Sequence, residues 1–350
     1  MLKRKKLLIN SYNLDFGGIE KSLINLLNNL DTNKYEITLL LREKKGAFLK
    51  DLNKNIKVKE YKLSSNKIKI FRKSYNRIHL LIYPLIHKYD VSICYATYDI
   101  PFALMTPKLA KKSIYYIHSN YTKIYDENNL IKFFNERKIN DFDKIVFVSE
   151  ESKTDLLKYY DIKNKSYVIN NLLNEEDIIK KSFQKISLPK GINLVFVGRL
   201  EEKSKALLRL FDIIKDMNVN LNIIGDGPDK KVYQKYIKDN KIKNIYLLGS
   251  KKNPYPYMKK ADLFILPSYY EGFPVVCLEA LILKTKVLTT IDVSVNDFYL
   301  KDYAFVCDNN EKAIKENIVV ALNSKNKKKL NIKKENEKNL NKLIDLIEGE

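Results

Sequence analysis

Cysteine is scarce in this chain: Cys94, Cys277 and Cys307 are the only three in 350 residues, widely spaced and without a Cys-x-x-Cys pair. That spacing excludes a disulfide framework and a cysteine zinc site, and it suits a reducing compartment. No apolar run approaches the ~20 residues that a membrane-spanning helix needs. The N-terminal "MLKRKKLLINSYN" starts basic, but its apolar run is too short for a signal peptide and no small-residue cleavage site follows. It reads as the first strand of a cytoplasmic protein. The phosphate loops that sequence alone identifies are missing too. There is no Gly-x-x-x-x-Gly-Lys-Ser/Thr, and in "GDGP" Lys230 stands where Gly-x-Gly-x-x-Gly would need its third glycine.

Acidic residues are also in short supply. The 42 Asp and Glu face 64 Lys and Arg, leaving a net charge of +22. Such a field attracts nucleic acid, anionic membrane or phosphorylated small molecules. A general Lys, Asn and Ile bias accounts for part of it, since the charge is not confined to one arm. No basic run lies beside an aromatic-studded strand of the RNA-reading kind, so an anionic membrane surface is the expected partner rather than a specific nucleic acid.

What is present is ample apolar content, 45% of residues, with 11% aromatic, enough for packed cores. The length exceeds what one core normally serves, so two domains are expected. Short β-branched and aromatic runs alternate with helical stretches, the pattern of parallel α/β layers. The first half carries strands at "KLLINSY", "YEITLLL", "KVKEYKL", "VSICYAT", "SIYYIHS", "KIVFVSE" and "SYVIN"; the second at "INLVFVGR", "LNIIGDG", "IYLLGS", "LFILPS", "KVLTT" and "YAFVCD". Between them "EEDIIKKSFQKISLPKG" is polar, ends in Pro189 and Gly191, and reads as a linker. The expected domains are therefore 1–185 and 186–325, followed by a helical tail over 326–350 packed on one face.

Doubly wound sheets place sites beyond the carboxyl ends of their strands and in a cleft between domains. Gly17 and Gly18 follow the first strand, and backbone N–H groups there can approach an anion at a helix N-terminus. His118 follows "SIYYI"; it is a buried satisfied residue, a proton donor or a sugar ligand, and its place favours function. Arg199, Lys203 and Lys205 follow "INLVFVG". Three cations there repel one another unless an anion such as a diphosphate is bound, or unless Glu201 and Glu202 neutralise a solvated helix start. "GDGP" alone reads as a turn. "DFD", Asp141–Asp143, has the look of a metal–diphosphate motif but precedes its strand, and Asp143 reads as turn chemistry. His79 and His87 have no third metal ligand in their spacing.

"EGFPVVCLE" carries Glu271 and Glu279 with seven residues between them. One helix would turn the two roughly 80° apart, so a shared-face acid pair is a poor reading. Gly272 and Pro274 mark a helix start, with Pro at the first helical position. Glu271 then lies on the loop before the helix and Glu279 inside it, about 8 Å beyond Pro274. N–H groups around Gly272 and Phe273 can hold a phosphate at the helix N-terminus. A carboxylate's paired oxygens match a vicinal diol. A nucleotide-sugar has this layout: sugar hydroxyls, diphosphate, ribose diol. Glu279 within "VVCLEALIL" is expected to be a buried charge without a partner in the chain, a cost that a ligand would explain.

These stretches resemble the retaining family 4 glycosyltransferases of the GT-B fold. The landmarks are "GGIEKSLINLL", "VGRLEEKSK", "IIGDGPD" and "NPYPYMKKADLFILPSYYEGFPVVCLEAL", in the family's order, over residues 7 to about 292. The resemblance implies two Rossmann-like doubly wound domains facing across a cleft, the first binding the acceptor and the second the nucleotide-sugar, with retention and without a metal. It implies that Glu279 binds the ribose diol and Glu271 the donor sugar, with Gly272 and Phe273 at the phosphate end. Arg199 and Lys205, with Lys203 as the alternative lysine, stabilise the leaving diphosphate; His118 contacts the transferred sugar, and Gly17 and Gly18 line the phosphate side. It further implies a UDP-sugar as donor, no separate cofactor, and a glycan or lipid-linked acceptor of capsule or lipopolysaccharide assembly at the inner membrane face. Two departures stand out. Lys284, Thr285 and Lys286 replace the family's Gly-x-Pro turn, and "DVSVNDFYL" replaces a Gly- and Glu-bearing loop. The rival readings are a sugar-nucleotide epimerase or hydrolase of the same architecture, and a non-catalytic partner of a transferase.

Overall fold

The structure is a computed structural model that describes residues 3–15, 17–63, 69–293 and 300–349, without the side chains of 69–74, 77 and 301. Most of the "DVSVNDFYL" departure, residues 294–299, lies outside the described residues. The chain divides into two compact units, Met1–Leu172 with Glu337–Glu350, and Leu173–Asn336.

The first unit holds β1 (Lys5–Ser11), β2 (Tyr35–Leu41), β3 (Lys57–Glu60), β4 (Tyr89–Cys94), β5 (Ala110–Ile117), β6 (Lys144–Phe147) and β7 (Lys165–Val168). They form one sheet in the order β3-β2-β1-β4-β5-β6-β7, every pairing parallel. The second unit holds β8 (Asn193–Val197), β9 (Asn220–Ile224), β10 (Ile245–Gly249), β11 (Leu263–Leu266), β12 (Val287–Thr290) and β13 (Phe305–Cys307). Their order is β10-β9-β8-β11-β12-β13, again parallel. Helices cover both faces of such a sheet, which is why its strands read as unbroken apolar runs: Leu7, Leu8 and Ile9, or Leu194, Val195 and Phe196, are all 0% exposed. Each of the thirteen strands expected from sequence is present. In both sheets the strand order reverses once, between β1 and β4 and between β8 and β11. Ligands of open α/β sheets bind beyond the carboxyl ends of the strands at such a switch point.

The domain limits differ from the expectation of 1–185, 186–325 and 326–350. The stretch taken for a linker contains a helix, Glu175–Lys181, capped by the Asn174 side chain, acidic in its first turn and basic in its last. It buries Ile178 and packs on the helices Tyr255–Lys260 and Val275–Ile282, so it belongs to the second unit. The tail helix, Ile332–Glu348, returns to the first unit from residue 337 onward. There Glu348 accepts hydrogen bonds from Tyr35 Oη at 2.6 Å and Lys5 Nζ at 2.7 Å, and Lys342 Nζ reaches the Val168 carbonyl at 3.0 Å. Asp143, read from sequence as turn chemistry, ties β5 to β6 by accepting from both the N–H and the hydroxyl of Ser113 at 2.7 Å.

Candidate active site

The second unit brings two of its candidate residues, Lys205 and Glu271, together at the β8/β11 switch point. Beyond β8 the chain runs through Gly198 and Arg199 into a single helical turn, Glu202–Lys205, and then the helix Leu207–Ile214. The path is set from below by the "GDGP" loop. A Cβ on Gly227 would lie 2.3 Å from the Leu200 carbonyl oxygen, and one on Gly225 1.8 Å from that of Gly198. The Leu200 N–H donates to Asp226 O at 3.0 Å and its carbonyl accepts from the Asp229 N–H at 3.1 Å. Glycine is needed here for close backbone approach, so this turn positions the neighbouring loop.

Between the two helices Ala206 adopts a left-handed conformation (φ 52°, ψ 45°) while fully buried. Such a conformation costs a non-glycine residue about 1 kcal/mol and marks a position the surroundings enforce. The kink holds Lys205 against the loop after β11. Lys205 Nζ lies 2.5 Å from Glu271 Oε1, which also accepts from Ser268 Oγ at 2.7 Å. Both members of the pair are largely withdrawn from water, at 17% and 15% exposure. Lys203 is exposed, and Arg199 is 69% exposed and makes a loose pair with Glu201 at 3.8 Å. Glu202 is not a neutraliser of that cluster; it accepts from the Leu208 N–H and from Tyr233 Oη, each at 3.0 Å.

Gly272 and Phe273 lead into the helix Val275–Ile282, with Pro274 at the N-cap rather than at the first helical position. A helix N-terminus presents N–H groups that have no partner within the helix. Glu279 lies inside, 3% exposed, as expected for its place in an apolar run. The expectation that it has no partner in the chain is overturned: Tyr255 Oη donates to Glu279 Oε1 at 3.1 Å. Tyr255 starts the helix Tyr255–Lys260, which packs on the Glu279 helix. At the other end of that helix the departure at Lys284 has a structural meaning. Lys284 has φ 62°, its N–H donates to Leu281 O at 3.0 Å, and the Thr285 N–H donates to Ala280 O at 3.0 Å. This is a Schellman cap with lysine in the position glycine normally takes.

Sequence reading also missed Arg209. It is 8% exposed, donates to the Pro267 carbonyl at 2.5 Å and to Asn309 O at 3.3 Å, and stacks over the Tyr269 ring at 4.4 Å. It therefore braces the loop that presents Ser268 and Glu271. A cation in the apolar run "ALLRLFDII" was the available signal. Ser268 and Tyr255 carried none, because their partnerships are tertiary.

In the first unit, His118 follows β5 and is 6% exposed. Its ring lies 4.2 Å from that of Tyr95 and 5.5 Å from that of Tyr116. Neither ring nitrogen has a hydrogen-bond partner of good geometry among the described residues. Burial pushes its pKa down to about 3, opposed by the Tyr95 backbone, so the imidazole is neutral at physiological pH. Tyr95 follows β4 and meets Ser22 Oγ at 2.8 Å, which links the histidine to the helix Gly18–Asn29. Gly17 is the N-cap of that helix in extended conformation. It provides space rather than unusual backbone: a Cβ there would lie 2.0 Å from Glu20 Oε2, so the chain's own carboxylate rests against Gly17. No atom of the described residues lies within 4 Å of a Cβ position on Gly18. Burial raises the pKa of Glu20, with Tyr98 Oη donating to it at 3.3 Å.

The chain matches known families over nearly its whole length. Residues 16–177 match Glycosyltransferase Family 4, and residues 177–339 match Glycosyl transferases group 1. An uncharacterised glycosyltransferase of Methanocaldococcus jannaschii is 27% identical over 231 residues, 65% of this chain and 63% of that protein. The Campylobacter jejuni N-acetylgalactosamine-N,N'-diacetylbacillosaminyl-diphospho-undecaprenol 4-alpha-N-acetylgalactosaminyltransferase is 31% identical over 182 residues, 51% of this chain and 48% of that protein. The chain thus spans less than two thirds of the length of these curated relatives. Among solved structures, HepE of Anabaena in complex with UDP and glucose superposes with a TM-score of 0.78 at 16% identity, covering 97% of this chain and 100% of that one. That likeness establishes the fold as GT-B, with two parallel-sheet α/β domains. The two family matches meet at residue 177, close to the observed division of the chain, and the protein belongs to the group 1, family 4 type of glycosyltransferases.

Proposed function

We propose that the chain transfers a sugar, with retention and without a metal, from a UDP-sugar to a glycan or lipid-linked acceptor in assembly of a cell-surface polysaccharide of capsule or lipopolysaccharide type. The observation that carries this reading is the meeting of Lys205 and Glu271, 66 residues apart in sequence, at the β8/β11 switch point. The UDP complex of HepE supports the donor class, and the Campylobacter relative, whose name specifies a diphospho-undecaprenol-linked sugar, supports a lipid-linked acceptor.

In this reading the acceptor hydroxyl attacks the anomeric carbon on the face from which UDP departs. The bond to the β-phosphate oxygen breaks, and the hydroxyl proton passes to that oxygen. Negative charge develops on the diphosphate, and preorganised cations and helix N–H groups stabilise it. Lys205 has three donors, so it can keep Glu271 and still reach a phosphate. Arg199, loosely held, can fold onto the diphosphate with two parallel hydrogen bonds. These cations take the part that a metal plays elsewhere. Gly272 and Phe273 lead the helix N-terminus to the same phosphates. Glu271 accepts from donor-sugar hydroxyls, while Glu279, one oxygen held by Tyr255, accepts from the ribose diol. His118, neutral, bonds a hydroxyl of the transferred sugar through one of its ring nitrogens. Lys203 is the alternative phosphate-binding lysine, and Gly17 and Gly18 line the phosphate side. No described helix is long and apolar enough to cross a membrane, and we place the protein at the cytoplasmic membrane face as a peripheral enzyme.

Calorimetric titration of wild type and Glu279→Gln with UDP, GDP, ADP, TDP and CMP tests the assignment. UDP is expected to bind, and the variant, which keeps an acceptor for Tyr255, to bind about 10- to 100-fold more weakly through loss of a charged hydrogen bond. Equal affinity in the variant would remove Glu279 from the ribose site. Absence of any nucleotide binding would overturn the transferase reading itself.

A further inference from the structure

Among its described side chains the helix Lys69–Ile86 of the first unit shows two apolar faces, one of which packs on the core. Leu80 and Tyr83 pack on the core beneath, where the Tyr83 ring meets that of Tyr61 at 5.1 Å. Tyr75, Ile78, Leu81, Ile82, Leu85 and Ile86 instead face water, Leu85 and Ile86 at 73% and 71% exposure. At ~100° per residue these six fall within an arc of about 140°, so they form a continuous stripe rather than scattered exceptions. Many exposed large apolar residues of the described chain are concentrated on this one helix.

What lies beside the stripe says what covers it. The helix runs back from the end of β3 to the start of β4, so its last turn reaches the amino-terminal edge of the sheet, opposite the edge where ligands bind. That edge is cationic. Lys6, Lys57, Lys59 and Lys88, together with Ile86 and His87, line a concavity of about 220 Å³ there. Lys57 is answered by Glu36 at 2.5 Å, while Lys59 and Lys88 are exposed. Lys88 Nζ reaches the Lys108 carbonyl at 3.5 Å, and neither Lys59 nor Lys88 forms an ion pair among the described residues, so a second protein would meet an apolar ridge edged by like charges. A layer with an apolar interior and anionic headgroups matches both halves at once.

We propose that this stripe and the lysine edge next to it are the surface by which the protein lies on an anionic lipid bilayer, with the helix parallel to the membrane plane. This deepens the reading of the chain as a peripheral enzyme. It is read out by lipid binding alone, without donor or acceptor, so its failure and the failure of the transferase assignment are distinguishable.

The test is flotation with vesicles of phosphatidylcholine and of an equimolar phosphatidylcholine–phosphatidylglycerol mixture. Wild type is expected to float with the mixed vesicles and to remain behind with phosphatidylcholine alone. Leu81→Gln with Leu85→Gln keeps helix-compatible residues and is expected to lower partitioning at least about tenfold. Lys59→Glu with Lys88→Glu, on the sheet edge rather than the helix, is expected to lower it similarly. Val319→Gln with Val320→Gln, removing two half-exposed valines of the second unit, is expected to change nothing. Circular dichroism confirms that each variant is folded. Failure of wild type to bind anionic vesicles, or equal binding by folded stripe and lysine variants, would overturn the proposal. So would a lipid-free dimer in sedimentation velocity that Leu81→Gln with Leu85→Gln dissolves, since a second copy would then cover the stripe.

Discussion

A histidine buried neutral makes folding depend on pH in a direction that can be worked out. His118 has a pKa of about 3 in the folded chain, against 6.5 for the free side chain. Between these values the unfolded chain binds a proton that the folded chain excludes, so stability rises with pH across this window and is complete above about 6.5. On going from pH 7 to pH 5, the unfolded histidine goes from mostly neutral to almost fully protonated while the folded one stays neutral. Linkage then gives a loss of about 2 kcal/mol from this one residue. Other groups titrate in the same range, and Glu20, whose raised pKa works in the opposite sense, is one of them. The comparison that isolates the histidine is therefore wild type against His118→Phe, which keeps an aromatic ring among Tyr95 and Tyr116 and removes the titrating atoms. Urea unfolding followed by circular dichroism, with hydrogen exchange in β5 identifying the transition of the first unit, should show the stability of the variant relative to wild type rising by about 2 kcal/mol from pH 7 to pH 5. Parallel pH profiles for the two proteins would refute the reasoning, because they would mean that the folded chain admits the proton and that the ring nitrogens have partners after all.

Glu348 carries the opposite sign. Hydrogen bonds from Lys5 and Tyr35 pull its pKa down to about 2, so its contribution is present above about 4.5 and is lost as the pH falls toward 2. Because the group is a third exposed, Glu348→Gln should cost only about 1 kcal/mol in thermal or urea unfolding at pH 7, and the gap should close between pH 4.5 and 2. Lys284→Gly should do what few substitutions do and stabilise the protein, by about 0.5–1 kcal/mol, by placing glycine at the left-handed position of the Schellman cap. A lower urea midpoint for that variant would show that the lysine stem makes up the strain by contacts elsewhere.

The thirteen strands were legible because both sheets are parallel and covered on both faces, so each strand is a short unbroken β-branched or aromatic run between polar stretches. The limits of the units were not. "EEDIIKKSFQ" looks like a linker because a seven-residue helix with one buried residue, Ile178, is too short to display a period. The spacing of Leu343, Leu346 and Ile347 did announce a one-faced tail helix. Nothing local could say that its face belongs to the first unit, since the Glu348–Tyr35 contact joins residues 313 apart.

The candidate site divides along the same line. Lys205 and Glu271 could each be singled out, one as a cation beyond a strand and the other as a loop carboxylate before a helix, but their pairing needed the β8/β11 neighbourhood. A buried charge inside an apolar run is a sound signal that something must answer it, and it applied equally to Glu279 and Arg209. In both cases the chain supplies partners: Tyr255 for the carboxylate, Pro267 and Asn309 for the guanidinium. The step from buried polar residue to ligand therefore has to be made atom by atom on a folded chain. Applied that way, it passes from Glu279 to His118, whose two ring nitrogens are enclosed by tyrosine rings and have no hydrogen-bond partner of good geometry among the described residues. Burying them without such partners costs the fold free energy, and in the proposed function a sugar hydroxyl bonded to one of the two nitrogens recovers part of that cost.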